Sequence, residues 1–220
     1  MKFIKQYKNR LSNESCDYIM KLMTIHDELT NEGNTVHGVD KRFKVSTDLN
    51  LMDIVDKDEH LHINIIPEIR SAILQTLLEY NREHPVIPGG KVIVEYSDQD
   101  LGRLLEEQTI LDTSLLCKKY PKGEGFFDWH IDNGDGWKNN ARILVLMFYL
   151  NDVEEGGYTE FDYQDVVVIP EKGSLVIFPT DWTHLHRGTM PISNDKYILN
   201  SWLLRMNPML KKILENESNI

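Results

Sequence analysis

The chain has 220 residues, of which 41% are hydrophobic and 27% are charged. This composition provides enough apolar side chains for a sizeable core and excludes an intrinsically disordered chain. The net charge of −11 disfavours non-specific binding to nucleic acid, and two cysteines far apart in the chain exclude a disulfide framework.

The first ninety residues read mostly as helix. Ser12 or the asparagine after it is a suitable N-cap for a helix that reaches about residue 30, with apolar side chains at helical spacing. A second helix is predicted over about 67–80, with a proline in its first turn. Prolines and glycines at 85–90 then break the pattern.

Short strands follow this break. They are rich in β-branched and aromatic residues and are separated by glycine-containing turns, a pattern typical of a β-sandwich or barrel. A final helix is predicted over about 208–216. The predicted strands span 92–96, 114–120, 126–130, 143–150, 166–170, 174–178 and 197–204.

One strand carries a possible metal-binding pair. In FFDWHID (126–132), His130 and Asp132 lie two residues apart and share one face of an extended chain. Asp128 flanks His130 in the same way and is the rival carboxylate. Far downstream, His184 and His186 also share one face. Two imidazoles and one carboxylate are the ligand set of non-haem Fe(II) oxygenases, which leaves coordination positions open.

The surrounding motifs carry a resemblance to a known family. Tyr120 lies ten residues before His130, and Lys196 lies ten residues after His186. With these spacings, residues 120–202 resemble the prolyl 4-hydroxylase-like branch of the Fe(II)/2-oxoglutarate dioxygenases. The matching stretches are YPKGEGFFDWHID, RILVLMFYLNDVEEGGYTEF, PEKGSLVIFP and HRGTMPISNDKYILNSW.

The resemblance implies a set of ligands for the metal and for 2-oxoglutarate. His130 and Asp132 match the proximal metal ligands, and His186 matches the distal one in preference to His184. Lys196 matches the residue that pairs with the far carboxylate of 2-oxoglutarate, which is buried and therefore needs a charged partner.

Other matched positions line the expected pocket. Tyr120 and Tyr149 match hydroxyl-bearing residues around the cosubstrate, and Trp202 matches an aromatic ring beside it. Arg142 matches a position that often orients substrate. Trp137, in the glycine-flanked loop after the His130 strand, is predicted to join Arg142 on the substrate surface.

The chain also departs from the family pattern in regions that face substrate. Val145 stands where many relatives carry threonine, and the loop between Asp132 and Arg142 is somewhat long. Residues 97–112 are acidic and lie where relatives carry a mobile covering loop. As a lid they would favour basic or neutral peptides over acidic ones.

We therefore predict one dioxygenase domain over 1–220. It comprises a helical support region (1–90), a double-stranded β-helix or jelly-roll barrel core (91–206) and a C-terminal helix (207–220). The overall class is mainly β with α, and N-terminal helices pack on one sheet.

The predicted function is hydroxylation of a prolyl residue in a peptide or protein, with release of succinate and CO2. The resemblance implies Fe(II), 2-oxoglutarate and O2 as cofactors, with ascorbate as an additional one. The alternatives are hydroxylation of another side chain or a small molecule, and a metal- or ligand-binding barrel without turnover. The charged N-terminus and the short apolar runs further predict a cytoplasmic protein with no membrane or nucleic-acid partner.

Overall fold

The computed structural model describes residues 3–35, 37–85, 97–134 and 140–206. The predicted strand at 92–96, the C-terminal helix and Trp137 lie outside these ranges. Among the described residues, no helix combines the length and the apolar character needed to cross a membrane.

Three helices accompany the sheets: α1 (Asn13–Ile25), α2 (Ile66–Glu83) and α3 (Asp98–Gln108). The Ser12 side chain caps α1 by accepting a hydrogen bond from the backbone N–H of Ser15. The Glu68 carboxylate, in the first turn of α2, accepts from the Ser12 N–H and the Ser15 hydroxyl, so it links the two helices. The first helix ends at Ile25, earlier than the predicted end near residue 30.

Thirteen strands are described. Four of them lie in the N-terminal region that the sequence predicted to be mostly helical, and the three-residue strands β5, β9 and β12 were also missed. The strands are β1 (Lys5–Tyr7), β2 (Asn31–Glu32), β3 (Lys44–Val45), β4 (Thr47–Asn50), β5 (Thr109–Leu111), β6 (Leu116–Tyr120), β7 (Phe126–His130), β8 (Arg142–Tyr149), β9 (Thr159–Phe161), β10 (Val166–Val168), β11 (Leu175–Pro179), β12 (His186–Gly188) and β13 (Lys196–Arg205).

The strands form two antiparallel sheets. The larger sheet has the order β1-β11-β8-β13-β6-β4-β2, with β5 also paired to β13, and the smaller has the order β10-β9-β12-β7-β3. From β6 to β13 the chain passes repeatedly between the sheets. Its strand orders, β11-β8-β13-β6 and β10-β9-β12-β7, are those of a double-stranded β-helix, so the predicted fold class is confirmed.

The larger sheet is buried on both faces. Alternate residues of β8 point to opposite sides. Leu144, Leu146 and Phe148 join the core formed with α1 and α2, whereas Val145 and Met147 join a second core between the two sheets. The helices therefore pack on the outer face of the larger sheet, and its inner face is left to line the barrel interior.

The acidic segment 97–112 forms regular structure rather than the covering loop suggested by the sequence. Most of it is α3, which packs against α2, and it continues into β5 at the edge of the larger sheet. Its last carboxylate, Asp112, is buried and lies 4.0 Å from the Arg142 guanidinium.

Candidate metal centre and cosubstrate pocket

Antiparallel pairing of β7 and β12 brings the three predicted metal ligands together. The register places His186 directly opposite His130, and Asp132 follows two residues after His130. The ligand atoms of His130, Asp132 and His186 all lie within 4.8 Å of one another. His186 Nε2 is 3.2 Å from Asp132 Oδ2, which leaves an open centre suited to a divalent cation.

Hydrogen bonds orient these side chains. The Nδ1 atom of His130 is 2.7 Å from the carbonyl oxygen of Asp128, and that of His186 is 3.0 Å from the carbonyl oxygen of His184. A carbonyl only accepts, so each Nδ1 carries the hydrogen and each Nε2 keeps its lone pair for a metal.

Trp202 orients the Asp132 carboxylate in the same way. Its indole N–H donates to Asp132 Oδ1 over 3.1 Å, so Oδ2 remains directed at the two imidazoles. The sequence predicted only that Trp202 packs beside the cosubstrate pocket, and its hydrogen bond to Asp132 was not foreseen.

The electrostatics suit metal binding. Burial, followed by the neighbouring His186, lowers the pKa of His130 to about 3, so this imidazole is neutral at physiological pH. Burial acts to raise the pKa of Asp132, but its interactions with His186, His130 and Arg142 outweigh burial, and the net pKa lies well below the usual range. The site thus offers an anionic carboxylate beside a neutral imidazole.

The two rival residues have other roles here. His184 hydrogen-bonds through Nδ1 with the Thr183 hydroxyl at 2.8 Å, and the Asp128 carboxylate accepts from the Trp129 N–H at 2.8 Å. Neither joins the His–Asp–His group, although the backbone carbonyl of each orients a member of that group.

Lys196 lies inside the barrel as a buried cation. It is 3% exposed and sits opposite Tyr120 in the β13–β6 register. Its ammonium lies 5.5 and 5.3 Å from the ring centroids of Tyr120 and Tyr149, and the Tyr149 hydroxyl is 2.7 Å from that of Thr159. Burial lowers the pKa of Lys196 to about 7.

No carboxylate of the described residues forms an ion pair with Lys196. A buried ammonium without a counterion is costly, and an incoming anion would offset that cost. Asn200 adds a second signal, because its buried Oδ1 has no hydrogen-bond partner within the described part of the chain. Both residues line one inner cavity with His130, Asp132 and His186. The side chains therefore fit a metal ion together with an anion that extends from it to Lys196.

An outer cavity of about 660 Å³ adjoins the inner one and shares Lys118, Phe127, His130 and Asp132 with it. Arg142 lies on its wall, stacked 3.7 Å from the Trp202 ring centroid and donating to the Asp132 carbonyl at 3.2 Å. The predicted substrate residue Arg142 thus also supports the metal-binding region, whereas Trp137 lies outside the described residues.

Sequence reasoning missed three charged residues of the outer cavity: Lys44, Asp48 and Lys118. Lys118 carried a signal, because it precedes Tyr120 by two residues and so shares its inward face. Lys44 and Asp48 belong to β3 and β4, short strands that no periodic pattern revealed.

The segment that carries this site matches a known protein family. A family model described as the 2OG-Fe(II) oxygenase superfamily matches residues 115–204, a segment that contains all three candidate metal ligands and Lys196. Residues 115–204 are thus similar to the 2OG-Fe(II) oxygenase superfamily. The predicted resemblance is therefore confirmed.

One curated protein that this chain resembles is a prolyl hydroxylase subunit. The chain is 30% identical over 118 residues to prolyl 4-hydroxylase subunit alpha-1 of Gallus gallus, a match covering 45% of the chain and 23% of that relative. The chain thus spans about a quarter of this curated relative.

Two solved structures share the fold. One is the viral collagen prolyl hydroxylase of Paramecium Bursaria Chlorella virus-1 in its 2OG complex, with 18% identity and a TM-score of 0.54 over 94% of this chain and 97% of that one. The other is a prolyl hydroxylase from Trichoplax adhaerens in complex with a hypoxia inducible factor oxygen degradation domain peptide fragment. It has 18% identity and a TM-score of 0.64 over 91% of this chain and 83% of that one.

Proposed function

We propose that this protein is an Fe(II)- and 2-oxoglutarate-dependent dioxygenase that hydroxylates a prolyl residue in a peptide. The observation that carries the proposal is one cavity that joins the His130–Asp132–His186 group to the buried Lys196, which has no ion-pair partner among the described residues. A chelating 2-oxoglutarate would bind a metal held by the His–Asp–His group and place its far carboxylate at Lys196.

Some residues of the site would hold the metal and 2-oxoglutarate, and others exclude water. His130, Asp132 and His186 would hold Fe(II), and Lys196 would pair with the far carboxylate of 2-oxoglutarate, with the Tyr120 hydroxyl as a donor. When bound, the iron and 2-oxoglutarate supply the activation of O2.

Aromatic rings surround the histidines and keep bulk water away from them. Phe127 stacks on His130 with ring centroids 3.4 Å apart, and Phe178 packs edge-on to His186 at 4.8 Å. Such exclusion of water strengthens the electrostatic interactions within the site.

The prolyl substrate is inferred from the relatives. The curated relative and both structures named above are prolyl hydroxylases, and one of those structures holds a peptide fragment. The outer cavity, which leads to the candidate metal centre, is the place where a peptide side chain would enter.

The test is coupled turnover. The Fe(II)-loaded protein with 2-oxoglutarate and O2 should release succinate, and proline-containing peptides should accelerate release while gaining the mass of one oxygen atom. His186→Gln should abolish both signals, and His184→Gln should retain them. Stimulation by free amino acids or other small molecules alone would replace the prolyl assignment, and no succinate under any condition would favour a binding protein without turnover.

Ascorbate stays a prediction. It can be checked in the same assay, where its omission should shorten the period over which succinate accumulates linearly.

A further inference from the structure

Two buried lysines share one carboxylate beside the candidate metal centre. Lys44 Nζ lies 2.8 Å and Lys118 Nζ 3.8 Å from Asp48 Oδ2, and the Ser46 hydroxyl donates to Asp48 Oδ1 at 2.7 Å. Lys44 is 1% exposed and Lys118 is 7% exposed. We call Lys44, Asp48 and Lys118 the lysine cluster.

The lysine cluster spans the two sheets. Lys44 belongs to β3 of the smaller sheet, whereas Asp48 and Lys118 face each other across β4 and β6 of the larger one. All three line the outer cavity together with His130 and Asp132. The charges therefore face the space through which a substrate would reach the metal.

The lysine cluster contains two ammonium groups and one carboxylate, so one positive charge is not neutralised within it. The other acidic groups lining this cavity are accounted for: Glu32 forms an ion pair with Lys41 at 2.6 Å, and Asp53 is exposed to solvent. Burial, followed by the nearby charge of Lys118, lowers the pKa of Lys44 to about 8, which shows that its charged form is disfavoured.

The proposed cofactors would not supply the missing anion. A divalent metal, the Asp132 carboxylate, dianionic 2-oxoglutarate and the Lys196 ammonium together carry no net charge. The nearby Arg142 guanidinium lies 4.0 Å from the Asp112 carboxylate, which balances its charge. One positive charge in the lysine cluster is then left for a further ligand.

We propose that the lysine cluster is a subsite for a carboxylate of the substrate, close to the residue that is hydroxylated. The inference rests on the proposed function and deepens it. The carboxylate would come from an acidic residue beside the proline or from the C-terminal carboxylate of a peptide that ends in proline. This reverses the preference for basic or neutral peptides that the acidic segment 97–112 suggested, because that segment is mostly α3 and packs against α2.

The test measures binding without turnover. The protein is loaded with Mn(II) and 2-oxoglutarate under nitrogen, and dissociation constants are measured by calorimetry for matched probes. The probes are proline-containing pentapeptides that carry Glu or Gln on either side of the proline, and pentapeptides that end in proline against their C-terminal amides. The carboxylate member of one pair should bind about tenfold more tightly than its amide. Which pair discriminates identifies the source of the carboxylate.

Lys118→Met should abolish this discrimination while the amide probes bind as before. Asp48 keeps Lys44 as its partner in that variant, so no carboxylate is left without a counterion. The matched control is Lys119→Met on the same strand, where the side chain is about one-third exposed and pairs with Asp195 at 2.9 Å. This control should retain the preference.

Two outcomes separate the inference from the proposed function. Equal binding within every pair by the unaltered protein would overturn the subsite and leave the cluster a structural link between sheets, whether or not succinate is formed. A carboxylate preference that Lys118→Met removes would support the subsite even if no succinate were formed, in which case only the dioxygenase proposal would fall.

Discussion

Replacing Trp202 by phenylalanine tests how the candidate metal centre is oriented. The substitution keeps an aromatic ring under the Arg142 guanidinium, which lies 3.7 Å from the tryptophan ring centroid, but removes the N–H that donates to Asp132 Oδ1 at 3.1 Å. The carboxylate then loses the bond that directs Oδ2 toward the histidines.

The expected loss follows from the type of bond. A hydrogen bond to a charged group contributes on the order of 1.5–3 kcal/mol, and removing a group that orients a metal ligand typically lowers metal affinity by about 10–100-fold. Because Trp202 is 3% exposed, the smaller ring also leaves a void, and we expect a loss of about 1–3 kcal/mol in the free energy of unfolding.

The assay is anaerobic calorimetric titration with Fe(II), after thermal unfolding has shown that the variant is folded at the assay temperature. Trp182→Phe is the matched control, since Trp182 is 71% exposed and should be replaced without effect. Unchanged Fe(II) affinity in a folded Trp202→Phe protein would refute the orienting role of the indole.

Four further predictions concern the cosubstrate pocket, the distal ligand and the helices. Lys196→Met should weaken 2-oxoglutarate binding at least a hundredfold, about 3–5 kcal/mol, as measured by calorimetry on the metal-loaded protein; an unchanged dissociation constant would reject the pairing. In the ligand-free protein the pKa of Lys196 falls from its ordinary 10.5 to about 7, so the unfolded chain binds a proton that the folded protein has lost between these values. The free energy of unfolding should therefore rise with pH from 7 to 10.5 relative to Lys196→Met, and parallel pH profiles of the two proteins would contradict this. His186→Gln should lose Fe(II) binding and His184→Gln should keep it, because the backbone carbonyl that orients His186 survives in the second variant; the reverse result would exchange the distal ligand. Ser12→Ala should cost about 1–2 kcal/mol in chemical denaturation, since it removes the cap of α1 and one bond to Glu68, whereas a cost near zero would show that the cap is unimportant.

Much of the site was predictable from short-range pattern. Alternation along a strand tells which residues share a face, so the sequence alone paired His130 with Asp132. The motif spacings, read as a family resemblance, chose His186 over His184 and singled out Lys196. The same reasoning gave the fold class, because strands long enough to show a pattern, such as β8 and β13, are those that build the barrel.

Only the tertiary structure decided which distant elements meet. The β7–β12 register that sets His186 against His130 depends on pairing between strands far apart in sequence, and β12 is three residues long, too short for a periodic signal. The bond from Trp202 to Asp132 likewise joins β13 to the end of β7. The lysine cluster forms only where the two sheets meet, because β3 and β4 bring Lys44 and Asp48 to Lys118. The sequence predicted helix and loop, not strands, for the region of β3 and β4. A local pattern reports the face on which a side chain lies; the partners it finds there depend on chain packing, which links residues without regard to their separation in sequence.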